Sequence, residues 1–390
     1  MFLYNAPTKV FIDGDLNKIG EVVKSYGYKK ILLVYGSGSI KVNGLYDVVI
    51  NSLKEAQIEY IEASGVEPNP KLSFVRSVLA KDYEFDMILA VGGGSVIDTA
   101  KSIAVSYKTG IDPWEFNSKK TIPFKSMPIG VVLTISAAGS EMSSSCVITN
   151  SDINVKLGFN SELVRPLFAY LNPELTYSVS KYQTACGIVD IMMHTLERYI
   201  NPDESMLATE FAIGLLKTVL KYGPIAYNNP NNYEARKQLM LASSFSHNGL
   251  THVGRGYMLR AHVFEHIISG LFDEVTHGAG LSIVWPAYAK FMYTNEIALP
   301  LFARLAYELF DVEKSNDSAK DAYLGIVRME EFFKSLGMPT RLEEVGISST
   351  ELERLALELS ANKTKVISDL VSIGYEEAKQ IFALMFSEVA

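Results

Sequence analysis

The first half of the chain repeats one pattern: a short run of bulky apolar residues, a glycine-rich turn and then a stretch with helical periodicity. The run KILLVY at 30–35 ends in Gly-Ser-Gly-Ser at 36–39, and DMILAV at 86–91 ends in Gly-Gly-Gly-Ser at 92–95. Uninterrupted apolar runs suit strands that are buried on both faces, and strands that alternate with helices form parallel sheets. The pattern therefore predicts an α/β domain with a Rossmann-like parallel sheet.

The second half of the chain is predicted to be mostly helical. From residue 181 onward helical periods dominate and β-branched runs are few. A chain of 390 residues has room for two domains, at roughly 150 residues each. We therefore predict an α/β domain at 1–178 and an all-α domain at 179–390.

Charge, apolar runs and cysteine count indicate which partners and which compartment to expect. The 36 basic and 44 acidic residues give a net charge of −8, which repels phosphate backbones, so we expect no nucleic-acid partner. No stretch approaches 18 uninterrupted apolar residues and the start lacks a signal-peptide pattern, so we expect no membrane association. Two cysteines, Cys146 and Cys186, fit a reducing compartment. These features predict a soluble cytoplasmic protein with a large core.

The two glycine turns are candidate phosphate-binding loops. A helix start offers free N–H groups and partial positive charge, and glycines let a phosphate approach the backbone, so 92–95 suits a pyrophosphate. It is neither a P-loop nor GxGxxG, and a plain tight turn is the alternative. Asp98 in the first turn of that helix either interacts with the helix dipole or contacts the ligand. The loop 36–39 lacks the acidic residue that holds a ribose, and Lys41 follows it, which suits a 2′-phosphate; a flexible turn is the alternative.

A cluster of aspartate and histidine suggests a metal site. Asp190 and His194 are spaced i, i+4 on a helical stretch, which places both side chains on one face. His262 and His266 repeat that spacing, and His277 follows a short acidic loop. One aspartate with two or three imidazoles matches ligand sets for zinc or ferrous iron. A surface hydrogen bond is the alternative for the Asp190–His194 pair.

Longer motifs identify a family. AVGGGSVIDTAK at 90–101, LTISAAGSEMSS at 133–144, GIVDIMMHTLERY at 187–199 and HVFEHIISGLFDEVTHGAGLSIVWP at 262–286 resemble motifs of the iron-containing, group III alcohol dehydrogenases. YGSGSIKVNGLYD, EPNP and IDPWEF resemble the butanol dehydrogenase branch of that family, which reduces aldehydes and usually prefers NADPH. The resemblance extends over nearly the whole chain.

The resemblance implies a fold and an activity. The α/β domain at 1–178 is expected to bind the dinucleotide and the all-α domain at 179–390 a divalent metal, Fe²⁺ or Zn²⁺, with the active site in the cleft between them. The implied reaction is hydride transfer between NAD(P)H, with NADP(H) preferred, and a short- to medium-chain aldehyde such as butanal. Family members are often dimers, so we expect a homodimer. A glycerol dehydrogenase-like or dehydroquinate synthase-like enzyme, or a binding module without turnover, are the alternatives.

The resemblance also implies roles for single residues. The metal ligands are Asp190, His194, His262 and His277, and His266 matches a position beside the nicotinamide and substrate, where we expect a catalytic role. An aspartate tends to stand at the position of Gly36 in NAD-preferring members, so its absence supports NADPH. Together the loops and the resemblance predict cofactor contacts from Gly36, Gly38, Ser39, Asn69, Gly93, Gly94, Ser95, Asp98, Thr134, Ser136 and Lys156.

The spacing of the two metal histidines departs from the family pattern. The family usually has 14 positions between them, whereas His262 and His277 are 277 − 262 = 15 apart, as if Glu274 were inserted. Loops between helices tolerate such insertions. We therefore expect His277 to remain a ligand, with His266 as its replacement if it does not.

Overall fold

The chain folds into two compact units in the structure, a computed structural model. The N-terminal unit comprises 5–179 and 229–249, and the helical unit comprises the described residues of 180–228 and 250–390. The predicted single boundary at 178 misses one feature, because the chain returns to the N-terminal unit at 229. The residues described by the structure are 5–201, 203, 205–368 and 370–387.

The N-terminal unit contains the predicted Rossmann-like sheet. Six of its described strands pair in parallel in the order β1-β8-β5-β4-β2-β3, and β6 and β7 form a separate antiparallel pair. The predicted fold class is therefore confirmed. The strands are β1 (Lys9–Ile12), β2 (Lys30–Gly36), β3 (Glu59–Val66), β4 (Met87–Gly92), β5 (Ile129–Leu133), β6 (Ser145–Asn150), β7 (Val155–Asn160) and β8 (Phe168–Leu171).

The apolar run of β2 shows why this sheet is buried on both faces. Successive side chains of a strand point to opposite faces. Leu32 and Val34 accordingly join the hydrophobic core on one face of the sheet, and Ile31, Leu33 and Tyr35 join the core on the other. Helices cover both cores, so a polar residue at any of these positions would lose its contact with water.

The order of the strands brings the glycine loops together. The strand β2 lies between β3 and β4, with Tyr35 opposite Val91 of β4, and β4 in turn pairs with β5. The chain reverses its direction of winding between β2 and β4. In open α/β sheets this switch point, at the carboxyl ends of the strands, is where ligands bind.

The structure contains 15 described α-helices, which are divided between the two units. Those up to α6, together with α9, belong to the N-terminal unit, and the others belong to the helical unit. They are α1 (Ile19–Ser25), α2 (Ser39–Val42), α3 (Leu45–Glu55), α4 (Leu72–Leu79), α5 (Gly94–Thr109), α6 (Pro113–Asn117), α7 (Lys181–Tyr199), α8 (Met206–Asn228), α9 (Tyr233–His247), α10 (Arg260–Leu271), α11 (His277–Thr294), α12 (Leu299–Phe310), α13 (Ser318–Ser335), α14 (Leu352–Leu359) and α15 (Tyr375–Ala383).

The helical unit is organised around α7, which is buried from Thr184 to Tyr199. Helix α11 approaches it closely at Gly278, where an added Cβ would come within 2.3 Å of the Cys186 carbonyl oxygen. Only glycine permits this approach, and it places the first residue of α11 beside α7. Among the residues described, no helix combines the length and apolar character that a membrane span requires.

Candidate functional site

The predicted cofactor residues gather at one edge of the parallel sheet, which we call the carboxyl edge. The loop 36–39 follows β2, the loop 93–95 follows β4, and Thr134 follows β5. The strands β2, β4 and β5 are neighbours, so these three segments are neighbours too. The Thr134 amide donates a hydrogen bond of 3.2 Å to the Gly92 carbonyl, which joins two of them directly.

The loop after β4 has the form of an anion site. Helix α5 is 16 residues long and begins at Gly94, and no side chain caps its N-terminus. The amides of Val96 and Ile97 donate to the Gly93 carbonyl, which leaves the amides of Gly94 and Ser95 for a phosphate, and the helix dipole favours negative charge there. Glycine at 93 avoids a clash, because a Cβ would lie 2.3 Å from Cγ2 of Ile135 and force that side chain or the loop to shift.

A buried lysine fixes the serine-rich segment after β5. The Lys101 ammonium is 0% exposed and donates to the carbonyls of Ser140, Ser143 and Ser145 at 2.7, 3.0 and 2.8 Å. Burial lowers the pKa of Lys101, and the charge of Asp98 opposes that shift. This arrangement holds the segment 134–145 at the carboxyl edge, as a bound cation would.

Asp98 is committed to the same network. One carboxylate oxygen accepts from the Ser140 hydroxyl at 2.5 Å and the other from the Val147 amide at 2.9 Å. Burial raises the pKa of Asp98, and the Lys101 charge acts against that rise. These contacts brace the loop. The predicted place of Asp98 in the first turn is wrong, because α5 begins at Gly94 and has no acidic residue in its first turn. The ligand contact stays a prediction.

Two further predicted cofactor residues contact each other. The Lys156 ammonium on β7 donates to the Asn69 side-chain oxygen at 3.1 Å. The Thr149 amide on β6 donates to the Pro70 carbonyl at 2.8 Å, which ties the β6–β7 hairpin to the EPNP segment after β3. Asn69, with φ of 50°, has the left-handed backbone that asparagine tolerates. A lysine charge therefore lies beside the end of β3.

A carboxylate does lie near the loop 36–39, although it comes from another strand. Glu62 on β3 accepts hydrogen bonds from the hydroxyls of Tyr35 and Tyr46. The Lys41 ammonium lies over both rings, 5.3 Å from the centroid of Tyr35 and 4.7 Å from that of Tyr46. The loop is therefore bordered by one positive and one negative side chain, with Gly36 between the strand and the turn.

The predicted metal residues converge in the helical unit. Asp190 and His194 lie one turn apart on α7 and are 4% and 3% exposed. His262 lies in the first turn of α10, and its Nε2 is 3.6 Å from Oδ1 of Asp190. His277 begins α11, and its Nε2 is 3.8 Å from the same oxygen. Three helices thus direct imidazoles toward one carboxylate oxygen.

A hydrogen bond on the other nitrogen fixes each ring. Nδ1 of His194 lies 2.9 Å from the Asp190 carbonyl, Nδ1 of His262 lies 2.5 Å from Oε1 of Glu197, and Nδ1 of His277 contacts Oε2 of Glu265. Since these oxygens accept, Nδ1 donates in each ring, and Nε2 is the nitrogen that His262 and His277 present toward Asp190.

Two buried atoms show that a cation fits here. Oδ1 of Asp190 and Nε2 of His262 are buried, and among the described residues neither has a hydrogen-bond partner. A buried polar group without a partner is costly, so the pair calls for a ligand between them. A carboxylate oxygen and imidazole nitrogens are donors that zinc and ferrous iron accept. The residues present therefore fit a divalent metal.

Burial and the charges of neighbouring side chains shift the pKa values of Asp190, His194 and His262. Burial acts to raise the pKa of Asp190, but its histidine neighbours outweigh burial and hold it well below the usual range. Burial, together with the charge of His262, lowers the pKa of His194 to about 4. Burial acts downward on His262 as well, but Glu197 and Asp190 raise its pKa to about 9. The site thus favours positive charge between these carboxylates.

The extra residue before His277 lies between α10 and α11, in the stretch 272–276. His277 still faces Asp190, and its ring centroid is 5.2 Å from that of His262. His266 is further from His262, with centroids 6.4 Å apart, and its side chain is 22% exposed. The ring of His277 is therefore nearer to that of His262 than the ring of His266 is, but His277 also clusters with Glu265 and His266, separately from Asp190, His194 and His262. His277 as the fourth ligand stays a prediction.

Comparison with known proteins decides the family. A family model described as "Iron-containing alcohol dehydrogenase" matches residues 7–173, and one described as "Fe-containing alcohol dehydrogenase family, C-terminal" matches residues 184–383. The chain belongs to the iron-containing alcohol dehydrogenase family. It is accordingly a metal- and pyridine-nucleotide-dependent oxidoreductase that interconverts alcohols and aldehydes.

Individual relatives of this dehydrogenase agree with the assignment. It is 40% identical over 385 residues to NADH-dependent butanol dehydrogenase A of Clostridium acetobutylicum, with 98% of each chain covered. It is 32% identical over 360 residues to the NADPH-dependent aldehyde reductase YqhD of Escherichia coli, with 90% and 91% covered. The crystal structure of NADH-dependent butanol dehydrogenase A from Thermotoga maritima superposes with a TM-score of 0.94, at 34% identity and 99% coverage of each chain. These names favour the predicted reaction over the glycerol dehydrogenase-like and dehydroquinate synthase-like alternatives.

Sequence reasoning did not find three residues of the dehydrogenase that the structure brings to these sites. Glu197, Glu265 and Lys101 are all buried and contact predicted functional residues or their loops. A signal for the glutamates exists, because HTLE at 194–197 and HVFE at 262–265 both place a glutamate three residues after a metal-site histidine. Lys101 stands in the quoted AVGGGSVIDTAK motif without a role.

Proposed function

We propose that the dehydrogenase reduces short- to medium-chain aldehydes to primary alcohols, with NADPH preferred. One divalent ion, Fe²⁺ or Zn²⁺, is held by Asp190, His194, His262 and His277. The observation that supports this ligand set is the convergence of three imidazoles on Oδ1 of Asp190, His262 and His277 through Nε2 and His194 through Nδ1. Bound there, the ion would act as a Lewis acid toward the substrate oxygen, while NAD(P)H would supply the hydride.

The protein's own groups orient the reactants and handle a proton. Orientation of two reacting carbons within a site lowers the barrier by several kcal/mol. His266 is the candidate proton donor to the alkoxide, because it is partly exposed and its ring lies 5.7 Å from that of His277. An imidazole exchanges protons near neutral pH, which suits general acid catalysis.

A turnover assay tests the reaction. Chelator-stripped enzyme is given Zn²⁺ or Fe²⁺, and nicotinamide absorbance is followed with butanal. Metal-dependent oxidation of NADPH supports the proposal, whereas no oxidation with either metal contradicts it. The variant H262A should lose metal and turnover together. Full activity of H262A with one metal per chain would exclude the assigned ligand set.

The preference for NADPH is argued from the loop after β2. Gly36 leaves no acidic side chain at the position where a ribose-binding carboxylate is expected, and Lys41 supplies a nearby charge. Glu62, the neighbouring carboxylate, accepts from Tyr35 and Tyr46 and is engaged by them. A 2′-phosphate therefore meets a lysine and loop N–H groups.

The variant G36D tests that preference. An added Cβ at Gly36 meets only the Val66 carbonyl oxygen, at 3.5 Å, which is ordinary van der Waals contact, so a side chain can begin there without a clash. A carboxylate there would repel the 2′-phosphate, and we expect kcat/KM for NADPH to fall about 10- to 100-fold while that for NADH changes little. An unchanged NADPH to NADH ratio would refute the role of this loop.

We also propose a cytoplasmic homodimer. The family resemblance supports the dimer, and the buried, free thiols of Cys146 and Cys186 fit a reducing compartment. Light scattering of the purified enzyme should give about twice the 43.2 kDa mass of one chain. A monomer mass would contradict the proposal.

A further inference from the structure

The helices of the metal site share a crossed pattern. Glu197 stands three residues after His194 on α7, and Glu265 stands three residues after His262 on α10. Residues at this spacing are neighbours on one helix. Each glutamate nevertheless contacts a histidine of a different helix. Glu197 accepts from His262, and Glu265 accepts from His277. The contacts therefore run from α7 to α10 and from α10 to α11.

Both glutamates are deeply buried, which a carboxylate tolerates only with a charged or donating partner. Glu197 is 4% exposed and Glu265 is 0% exposed. The adjacent Arg198 directs its guanidinium elsewhere, because Nη1 donates to the His194 carbonyl at 2.6 Å and the group lies 4.6 Å from the Tyr257 ring centroid. The imidazoles of His262 and His277 are thus partners that these two buried carboxylates have inside the unit.

We propose that Glu197 and Glu265 are positioning residues for the metal. Each holds Nδ1–H of a histidine and so turns the Nε2 lone pair toward Asp190, and each adds negative charge behind the ring, which makes the imidazole a stronger ligand. His194 has a different support, since its Nδ1 lies 2.9 Å from the carbonyl oxygen and 3.0 Å from Oδ1 of Asp190, on its own helix. This inference rests on the metal ligand set of the proposed function.

The first test measures Zn²⁺ affinity of the full-length, metal-stripped protein by competition with a chromophoric chelator. We expect E197Q and E265Q each to weaken Zn²⁺ binding about 10- to 100-fold, since the amide keeps the shape but loses the charge. The matched control is E330Q, which alters another buried glutamate of the helical unit that pairs with Lys290 and Arg341 instead of histidine. Its Zn²⁺ affinity should equal that of the native protein.

Two outcomes overturn different conclusions. If native protein binds no stoichiometric Zn²⁺, the metal assignment fails and this inference fails with it. If native protein binds Zn²⁺ and both glutamine variants bind within twofold of it, the positioning role alone is wrong. The glutamine variants decide the question even where E197A or E265A does not fold.

The second test identifies which histidine each glutamate orients. In Zn²⁺-loaded protein labelled with ¹⁵N-histidine, E197Q should shift the Nδ1–H resonance of His262 and leave that of His194 in place. E265Q should shift the resonance of His277 and leave that of His262. A purely structural role predicts no such selectivity, and a shift of His194 in E197Q would refute the crossed arrangement.

Discussion

Replacing the fully buried Lys101 by methionine should destabilise the N-terminal unit strongly. Methionine fills a similar volume but leaves the carbonyls of Ser140, Ser143 and Ser145 without their donor. A hydrogen bond to a charged group stabilises the folded state by about 1.5–3 kcal/mol, and K101M loses three of them. Part of this loss is offset because folding no longer buries the ammonium charge. The net cost is about 3 kcal/mol, and at about 2–4 °C per kcal/mol for a unit of roughly 200 residues the midpoint should fall by about 6–12 °C.

Differential scanning calorimetry and cofactor titration measure the two consequences of K101M. The midpoint should fall, and the dissociation constant for NADPH should rise about tenfold or more, because the segment 134–145 loses its brace. The matched control is K108M on the same helix, whose side chain is exposed and which should unfold like the native protein. A K101M protein with native midpoint and native NADPH affinity would refute the idea that this ammonium organises the loop.

Three further predictions concern single positions. The variant G93A forces a Cβ against Ile135 and should cost about 1–3 kcal/mol in urea unfolding and weaken NADPH binding, whereas unchanged values would show that the loop yields freely. Burial acts to raise the pKa of Glu330, but Lys290 and other cations lower it to about 2 from 4.5, so its stabilisation is present above pH 4.5 and lost as the pH falls toward 2. E330Q should therefore cost about 2 kcal/mol at pH 7 and almost nothing at pH 2, and an equal cost at both would contradict this. D190A should abolish stoichiometric metal binding measured by elemental analysis, and a retained metal would remove Asp190 from the site.

Local pattern was sufficient to predict the sheet and its loops. Residues 30–35 and 86–91 form strands because their apolar runs can be buried on both faces only in a parallel sheet. The position of the loops at neighbouring strand ends then follows from topology. The roles of Gly93 and Asp190 came from the family resemblance added to this pattern. The cleft between domains stays a prediction.

Pairings between distant segments could not be predicted in the same way. Helix α9 has the same periodicity as the helices of the second half, and nothing local shows that Met240 belongs to the core of the first. Glu197 and Glu265 look like ordinary helical carboxylates until their partners on other helices are known. Asp98 illustrates the same limit, because its engagement by Ser140 depends on how a later loop folds.

The return of the chain at 229–249 has a consequence for synthesis on the ribosome. Helix α9 supplies Met240 to the sheet's core, and its Ser243 hydroxyl donates to the Ala137 carbonyl in the cofactor segment. The N-terminal unit therefore cannot complete its fold until some 250 residues have been made, by which time α7 and α8 have been made as well. A fragment ending at residue 178 would lack α9 and expose the apolar surface that Met240 covers, so the N-terminal unit cannot mature before the first helices of the helical unit have been synthesised.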